Sequence, residues 1–510
     1  MGIARVASRA QLGLAAPRVE VEVHLGAGLP QFSIVGLPAT AVKESKDRVR
    51  AALQNSGFEY PAGRITVNLS PADLPKEGCR YDLPIALGIL LASSQVSFPE
   101  RLLGCSEFYG ELGLAGELKP IRGVLLAAAH ASREGRNVIV PAANLSEARL
   151  VARGSAGARS LVAVSEMCSG RHPEAFENEY LALPAPANGT PGAVQPDLLD
   201  VRGQSAPKRA LLVAAAGAHS ILFIGPPGTG KSMLAQRLPG LLPPLDTGEA
   251  LDVATIASVS TSGFSARDYG RRPFRAPHHS ASASAIIGGG PRARPGEVSL
   301  AHLGVLFLDE LPEFNRGVLE ALREPLESGV VAIARTALQV EYPARFQLAA
   351  AMNPCPCGYL GDPAGRCRCA PPEIARYRAR ISGPLLDRID LRVEVTSIPS
   401  DELLAEARDP HALSTAVVAE RVRGAREVQR ARAGKLNSDL NVNEIQQHCL
   451  LDRAGRRLLA QARQRLNLSA RGVHRALRVA RTIADLEKET GPKIGPAHLA
   501  EALQLRRAID

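Results

Sequence analysis

The chain has 510 residues, too many for one hydrophobic core, and length alone suggests roughly two to four domains. Aromatic residues are only 4% and Trp is absent, which argues against a protein that grips single strands mainly by stacking bases on rings. The net charge of +10 suits nucleic acid or other anionic partners.

The opening stretch, "MGIARVASRAQLGLAAPRVEVEV", lacks the apolar core of a signal peptide. No run of about 18 apolar residues follows, so the sequence reads as soluble and cytoplasmic, with no membrane partner. In that compartment clustered cysteines point to metal ligands before disulfides.

Residues 1–170 alternate β-like and helical runs. "RVEVEVHL", "QFSIVGL" and "RITVNLS" have strand character, and "TAVKESKDRVRAALQNSG" has helical spacing up to Gly57. "LPAPANGTPGAVQP", residues 183–196, is rich in Pro, Ala and Gly and places a linker over 171–196. A second αβ region is expected over 197–395, and a helical region rich in Arg and Ala over 396–510. The fold class is therefore α/β and multidomain.

"SILFIGPPGTGKSML" runs an apolar strand into Gly225, Pro226, Pro227, Gly228, Thr229, Gly230, Lys231 and Ser232, followed by a helical run. This is G-x-x-x-x-G-K-[ST] in the strand–loop–helix setting it requires. The glycines let backbone N–H groups curl around phosphates, and the helix N-terminus favours negative charge. Lys231 is expected to reach the β- and γ-phosphates of ATP, and Ser232 to ligate Mg²⁺. Residues 264–294, between this motif and the next, carry six Arg and one Asp, with "GGG" among them. The pair His278-His279 lies here. Without a Cys/His partner at metal-binding spacing, loop packing is the better reading of that pair.

"GVLFLDEL", residues 304–311, is a buried strand ending in Asp309 and Glu310. Asp309 is placed to hold Mg²⁺ through water, and Glu310 to orient and deprotonate the attacking water. "VVAIART" and "LQVEYP" form a hairpin candidate over 330–343, meeting near Thr336-Ala337 with Arg335 near the tip. A third strand, "RFQLAAAMN", ends at Asn353, where a polar side chain beside the γ-phosphate can position the water.

Asn353 leads directly into "NPCPCGYLGDPAGRCRC". Cys355, Cys357, Cys367 and Cys369 offer four thiolates for a closed, structural Zn²⁺ site. The spacing C-x-C-x₉-C-x-C is tighter than the common C-x₂-C pairs, but the Gly- and Pro-rich stretch between them can fold back as a hairpin. Free thiols and redox sensing are the other readings. "PLLDRIDLRVEV" sets Arg388 between two aspartates. An arginine at a subunit edge can reach a neighbour's γ-phosphate, an effect worth about 10³–10⁵ in rate in other enzymes; a lone arginine ordinarily forms a surface salt bridge. Residues 421–481 carry 15 basic and 4 acidic residues. They read either as solvated helix faces or as a phosphate-tracking surface.

The stretches "IVGLPATAVKESKDRVRAAL", "NLSPADLPKEG", "PFRAPHHSASASAIIGGG", "PGEVSLAHLGVLFLDELPEF", "AAMNPCPCG" and "HRALRVARTIADL" resemble the ComM/YifB family of magnesium-chelatase-like AAA+ ATPases. They sample nearly the whole length. The resemblance implies an AAA+ P-loop NTPase core over 197–395, with a helix-2 insert (264–296), a pre-sensor-1 hairpin and a Cys-rich knuckle (353–371). A helical lid follows over 396–510. It also implies Asn353 as sensor 1, Arg388 as a finger acting in trans, and Arg471 as sensor 2, with Arg475 the alternative. The partners implied are a homo-hexameric ring and DNA, contacted through phosphates whatever its sequence. Bacterial members resemble motors of branch migration in natural transformation.

The N-terminal region, residues 1–170, resembles the proteolytic domain of Lon, which implies its S5 domain 2-like α+β fold. Lon-type proteolysis needs a Ser–Lys dyad. Here "PKEGCRYDLP" places Cys79 after Gly78, and "KPIRGVLLAAAH" places Leu125 where the lysine is required. The domain therefore reads as a fold without that catalysis.

Overall fold

The computed structural model describes residues 2–170, 196–290, 293–335, 338–361, 364–398, 413–466, 468–489 and 491–506. Residues 171–195 of the expected linker and the hairpin turn Thr336-Ala337 lie outside them, as does the side chain of Arg335. The chain forms two compact units. The first takes in the described residues up to 170, together with Ala250–Tyr269 and Ala334–Tyr342; the second takes in the rest.

In the first unit, β1 (Gly2–Arg9), β2 (Arg18–Gly26), β3 (Gln31–Val35) and β4 (Arg64–Ser70) form one sheet in the order β1-β2-β4-β3. Only the β3–β4 pair is parallel. Val19, Val21 and Val23 of β2 face the core, alternating with glutamates, as a half-buried strand requires. Helix α1 (Ser45–Asn55) ends one residue before Gly57's turn, and a break at Glu44 separates it from the short turn Thr40–Lys43. The single helix expected over that stretch is thus two pieces. Helix α2 (Asp82–Ala92) is apolar all round and buried along nearly its whole length.

A second, three-stranded parallel sheet pairs β5 (Ser106–Phe108), β6 (Asn137–Pro141) and β7 (Ala156–Ala158), with α3 (Val124–Arg133) before β6. The two non-contiguous segments are tied to this unit by specific contacts. Ser258 donates its hydroxyl to Glu147 at 2.6 Å, and its carbonyl accepts from Gly123 N–H at 3.0 Å. Gly13 lies against Val340. The unit is therefore not collinear with the chain, and both the insert and the hairpin lend it residues.

In the second unit, α4 (Ser205–Gly217) leads into β8 (Ile221–Ile224), and α5 (Lys231–Leu241) follows the glycine-rich loop. The sheet is β8 with β9 (Phe274–Arg275), β10 (Val305–Leu308), β11 (Gln347–Met352) and β12 (Leu391–Glu394). Its order is β9-β10-β11-β8-β12, all parallel. The first strand in sequence is thus interior, which puts a topological switch point beside its carboxyl end. Continuous apolar runs such as Val305–Leu308 are buried on both faces, as parallel strands between helices are. The C-terminal helices α6 (Thr415–Ala433), α7 (Arg453–Arg465), α8 (Ala470–Leu486) and α9 (Pro496–Gln504) share the core of this sheet through Val422, Ala462, Ala480 and Leu499 in turn.

Candidate active site

Strand register assembles the site. Ile224 of β8 pairs with Met352 of β11, and Leu308 of β10 pairs with Ala350, so the phosphate loop, Asp309 and Asn353 emerge at one edge. Gly230 has φ +89, a left-handed conformation at the helix N-cap that glycine adopts without cost. Helix α5 begins at Lys231 immediately after it. A cavity of about 380 Å³ is lined by Pro227, Gly228, Thr229, Gly230, Lys231, Ser232, Asp309, Glu310 and Asn353, among others.

Inside it, Lys231 Nζ donates to the carbonyls of Gly225 and Pro226, both at 2.7 Å, and to Asn353 Oδ1 at 3.2 Å. Burial lowers the Lys231 pKa from its ordinary value, and the charges of Asp309 and Glu310 oppose that shift. Ser232 Oγ donates to Asp309 Oδ2 at 2.6 Å. A hydroxyl and a carboxylate in contact are hard oxygen donors, and with phosphate oxygens and water they fit Mg²⁺. Glu310 has φ 53 and ψ 49, a left-handed conformation costing a non-glycine residue about 1–2 kcal/mol. Its N–H donates to Asp309 Oδ1 at 3.0 Å. Bound ATP would find backbone N–H groups, the Lys231 ammonium and a helix N-terminus for its phosphates.

The sequence did not single out His279 for this site. Its Nδ1 lies 3.2 Å from Glu310 Oε2. The short strand β9, two residues long, was the obstacle to seeing it. The loop after β9 brings His279 to the same edge as Glu310.

The expected arginines divide. Arg388 is buried, not at an exposed edge: its guanidinium donates to Glu327 Oε1 and to Pro384 O at 2.7 Å. Arg475 donates to Arg388 O at 2.8 Å and is ion-paired with the buried Asp390. Arg471 is 70% exposed, with Glu327 at 3.8 Å. Of the two sensor-2 candidates, only Arg471 is free of a buried ion pair.

The four cysteines come together, with all four Sγ atoms within 4.8 Å of one another. The Cys355–Cys357, Cys357–Cys367 and Cys355–Cys367 separations are 3.4, 3.7 and 3.8 Å. Zinc–sulfur bonds near 2.3 Å in a tetrahedron require sulfurs about 3.8 Å apart, so the cluster fits Zn²⁺. Backbone N–H groups of Tyr359 and Arg368 pull the Cys357 pKa down to about 6. In the first unit, burial pushes the Cys79 thiol up to about 11, helped by Glu111, and Leu125 is wholly buried in α3.

The basic C-terminal run also divides. Arg426, Arg432 and Arg481 bond Ala215 O or Asp485 inside the helix packing. Arg453, Arg456, Arg457, Arg463 and Arg465 of α7 are exposed.

Three family models match the chain: magnesium chelatase, subunit ChlI, over 197–403; subunit ChlI of Mg-chelatase over 21–144; and magnesium chelatase, subunit ChlI C-terminal, over 412–506. Competence protein ComM of Haemophilus influenzae is 48% identical over 511 residues, covering 100% of this chain and 98% of that protein. The chain belongs to the ComM/YifB family. The uncharacterized protein YifB of Escherichia coli K12, another ComM/YifB relative, is 48% identical over 512 residues, with 100% and 98% covered. A more distant likeness is the magnesium-chelatase 38 kDa subunit of Cereibacter sphaeroides, 27% identical over 212 residues, 38% of this chain and 57% of that protein. ComM/YifB membership makes the chain an AAA+ protein of the magnesium-chelatase type and implies ATPase activity with ATP and Mg²⁺. No described helix is long and apolar enough to cross a membrane.

Proposed function

We infer that this chain is a cytoplasmic ATP-hydrolysing motor acting on DNA as a homo-hexameric ring, a helicase promoting branch migration of recombination intermediates during natural transformation. The observation that carries the engine is the convergence of Lys231, Ser232, Asp309, Glu310 and Asn353 on one cavity. Lys231 would hold the phosphates, Ser232 and Asp309 the Mg²⁺, Glu310 the attacking water, with Asn353 beside it. The helical region would act as a lid through Arg471. Arg388 would act on a neighbour's nucleotide after leaving Glu327. Cys355, Cys357, Cys367 and Cys369 would hold a structural Zn²⁺.

The DNA reading draws support from the full-length likeness to a competence protein and from the exposed arginines of α7. A proteolytic role for the Lon-like region is disfavoured by the raised Cys79 pKa and by the aliphatic side chain at Leu125. Assembly or partner contact is the role left to it. A chelatase-type motor is the second reading, favoured by the ChlI description of all three matching models.

The test is ATP-dependent processing of a labelled four-way DNA junction by wild type and by Lys231→Ala. Processing by wild type alone supports the DNA motor. ATP hydrolysis with the junction left intact would move the chelatase reading first.

A further inference from the structure

We propose that a small cavity between strand β12 and the N-terminus of helix α8 binds inorganic phosphate, held by Arg392 and Arg506 and selected by Asp387. None of its lining residues belongs to the ATP cavity.

Separate parts of the second unit build this cavity. Arg392 stands on β12, and Asp387 lies just ahead of that strand. Leu468, Ser469 and Gly472 come from the entry to α8, and Arg506 follows α9. A parallel bridge joins the backbones at Arg392 and Arg506, with Arg392 N–H donating to Leu505 O at 2.7 Å. The volume is about 120 Å³. That accommodates a tetrahedral oxyanion and excludes a nucleoside, because pockets for larger organic ligands begin at roughly 300 Å³.

The lining carries positive charge without a matching partner. Arg506 is 4% exposed, and its Nη1 donates to the carbonyls of Ile389 and Asp390 at 3.0 and 3.1 Å. Arg392 Nη2 donates to Leu386 O at 2.9 Å, while Arg392 Nε is buried with no hydrogen-bond partner. Among the described residues neither guanidinium has a carboxylate within 4 Å. Asp390, whose charge acts on Arg506, is ion-paired with Arg475 instead. Burial lowers the pKa of both arginines, that of Arg506 to about 10, where Asp390 opposes the shift and Arg392 adds to it. Ser469 is the N-cap of the 17-residue helix α8, so the positive end of a helix dipole closes the cavity.

Asp387 decides which anion fits. Its carboxylate has no hydrogen-bond partner or ion pair among the described residues. A carboxylate repels an anion unless that anion brings a proton to share. Hydrogen phosphate has a P–OH that can donate to Asp387. Sulfate has none at neutral pH and would set lone pair against lone pair. A phosphate monoester, with its second pKa near 6, has mostly lost that proton too. The lining therefore selects free phosphate. Asp387 directly precedes Arg388, and Ser469 and Gly472 flank Arg471. Phosphate in this cavity clamps the chain beside both of those arginines.

The experiment is equilibrium dialysis of radiolabelled inorganic phosphate against full-length Lys231→Ala, whose phosphate loop has lost its ammonium. Sulfate and AMP serve as competitors at equal ionic strength. The same protein is measured with Arg392→Gln or Asp387→Asn added. About one phosphate per chain is expected, with sulfate roughly tenfold weaker or worse as a competitor and AMP without effect. Arg392→Gln is expected to weaken phosphate by about tenfold or more. Asp387→Asn supplies an N–H donor and is expected to bring sulfate up to the affinity of phosphate. Absence of phosphate binding overturns the proposal. So does sulfate competing as well as phosphate before Asp387 is changed, or AMP displacing phosphate equally. Binding that Arg392→Gln leaves intact puts the phosphate elsewhere. If Arg392→Gln fails to fold, Asp387→Asn decides, and continued rejection of sulfate there overturns the site.

Discussion

Gly358 of the four-cysteine loop rests on Pro227 of the phosphate loop. A Cβ added at Gly358 would stand 2.8 Å from Pro227 Cδ, and its φ of +84 lies in the left-handed region. The cysteine loop therefore backs the phosphate loop at Pro227. Gly358→Ala adds about 1–2 kcal/mol of backbone strain and pushes on a ring that cannot fold away. The expected outcome is a several-fold rise in KM for ATP with metal content unchanged, read by turnover kinetics and elemental analysis. Unaltered ATP kinetics in a folded Gly358→Ala would mean that the contact does not shape the phosphate loop.

The same contact predicts what metal loss does. A loop this poor in hydrophobic residues needs the metal to stay ordered. Purified protein is expected to carry about one zinc per chain. Cys367→Ser should lose most of it, become faster to cleave by protease between residues 354 and 370, and weaken ATP binding as Gly358→Ala does. A Cys367→Ser protein with full zinc and full ATPase activity would refute the assignment.

What the sequence made legible, and what it hid, follows from how local each signal is. The phosphate loop, Asp309-Glu310 and the four cysteines are each written within a short run of the chain, and the structure brings the side chains of each together. Strand β1 was overlooked because its alternation is weak at a chain start rich in small residues. Helix α2 was overlooked because an all-apolar run carries no period. The docking of Ala250–Tyr269 and Ala334–Tyr342 on the first unit is a long-range fact with no local trace. Charge alone likewise could not separate the buried arginines of α6 and α8 from the exposed ones of α7, because the distinction lies in which face each helix buries.

Arg475 and Arg471 make a test of that distinction, since they sit one helical turn apart on α8 with opposite surroundings. Burial would raise the Asp390 pKa, but Arg475 and His219 outweigh it and hold the carboxyl well below the usual range. Arg475→Ala removes the arginine from that buried carboxylate and leaves it His219 and the Ser220 N–H, at a cost of about 3 kcal/mol, and should lower the Tm strongly. Arg471→Ala removes an exposed side chain and should change stability by less than about 0.5 kcal/mol. If Arg471 is sensor 2, it should lower ATP turnover all the same. Equal losses of stability in the two variants would contradict this division.

His302 supplies a stability signature in mild acid. It is buried, and its Nδ1 accepts the backbone N–H of Arg345 at 3.0 Å, which ties the start of β10 to the start of β11. Burial, assisted by the Arg345 charge, pushes its pKa down from 6.5 to about 4. The unfolded chain therefore takes up the proton first as pH falls. The contribution is fully present above about pH 6.5, is lost progressively on acidification and is spent near pH 4, with a span of about 3 kcal/mol. His302→Gln keeps an acceptor for Arg345 N–H but cannot titrate. Denaturant melts of wild type and His302→Gln should diverge at neutral pH and converge toward pH 4, the wild type losing more stability on the way. Parallel curves across that window would show that His302 is not the group responsible.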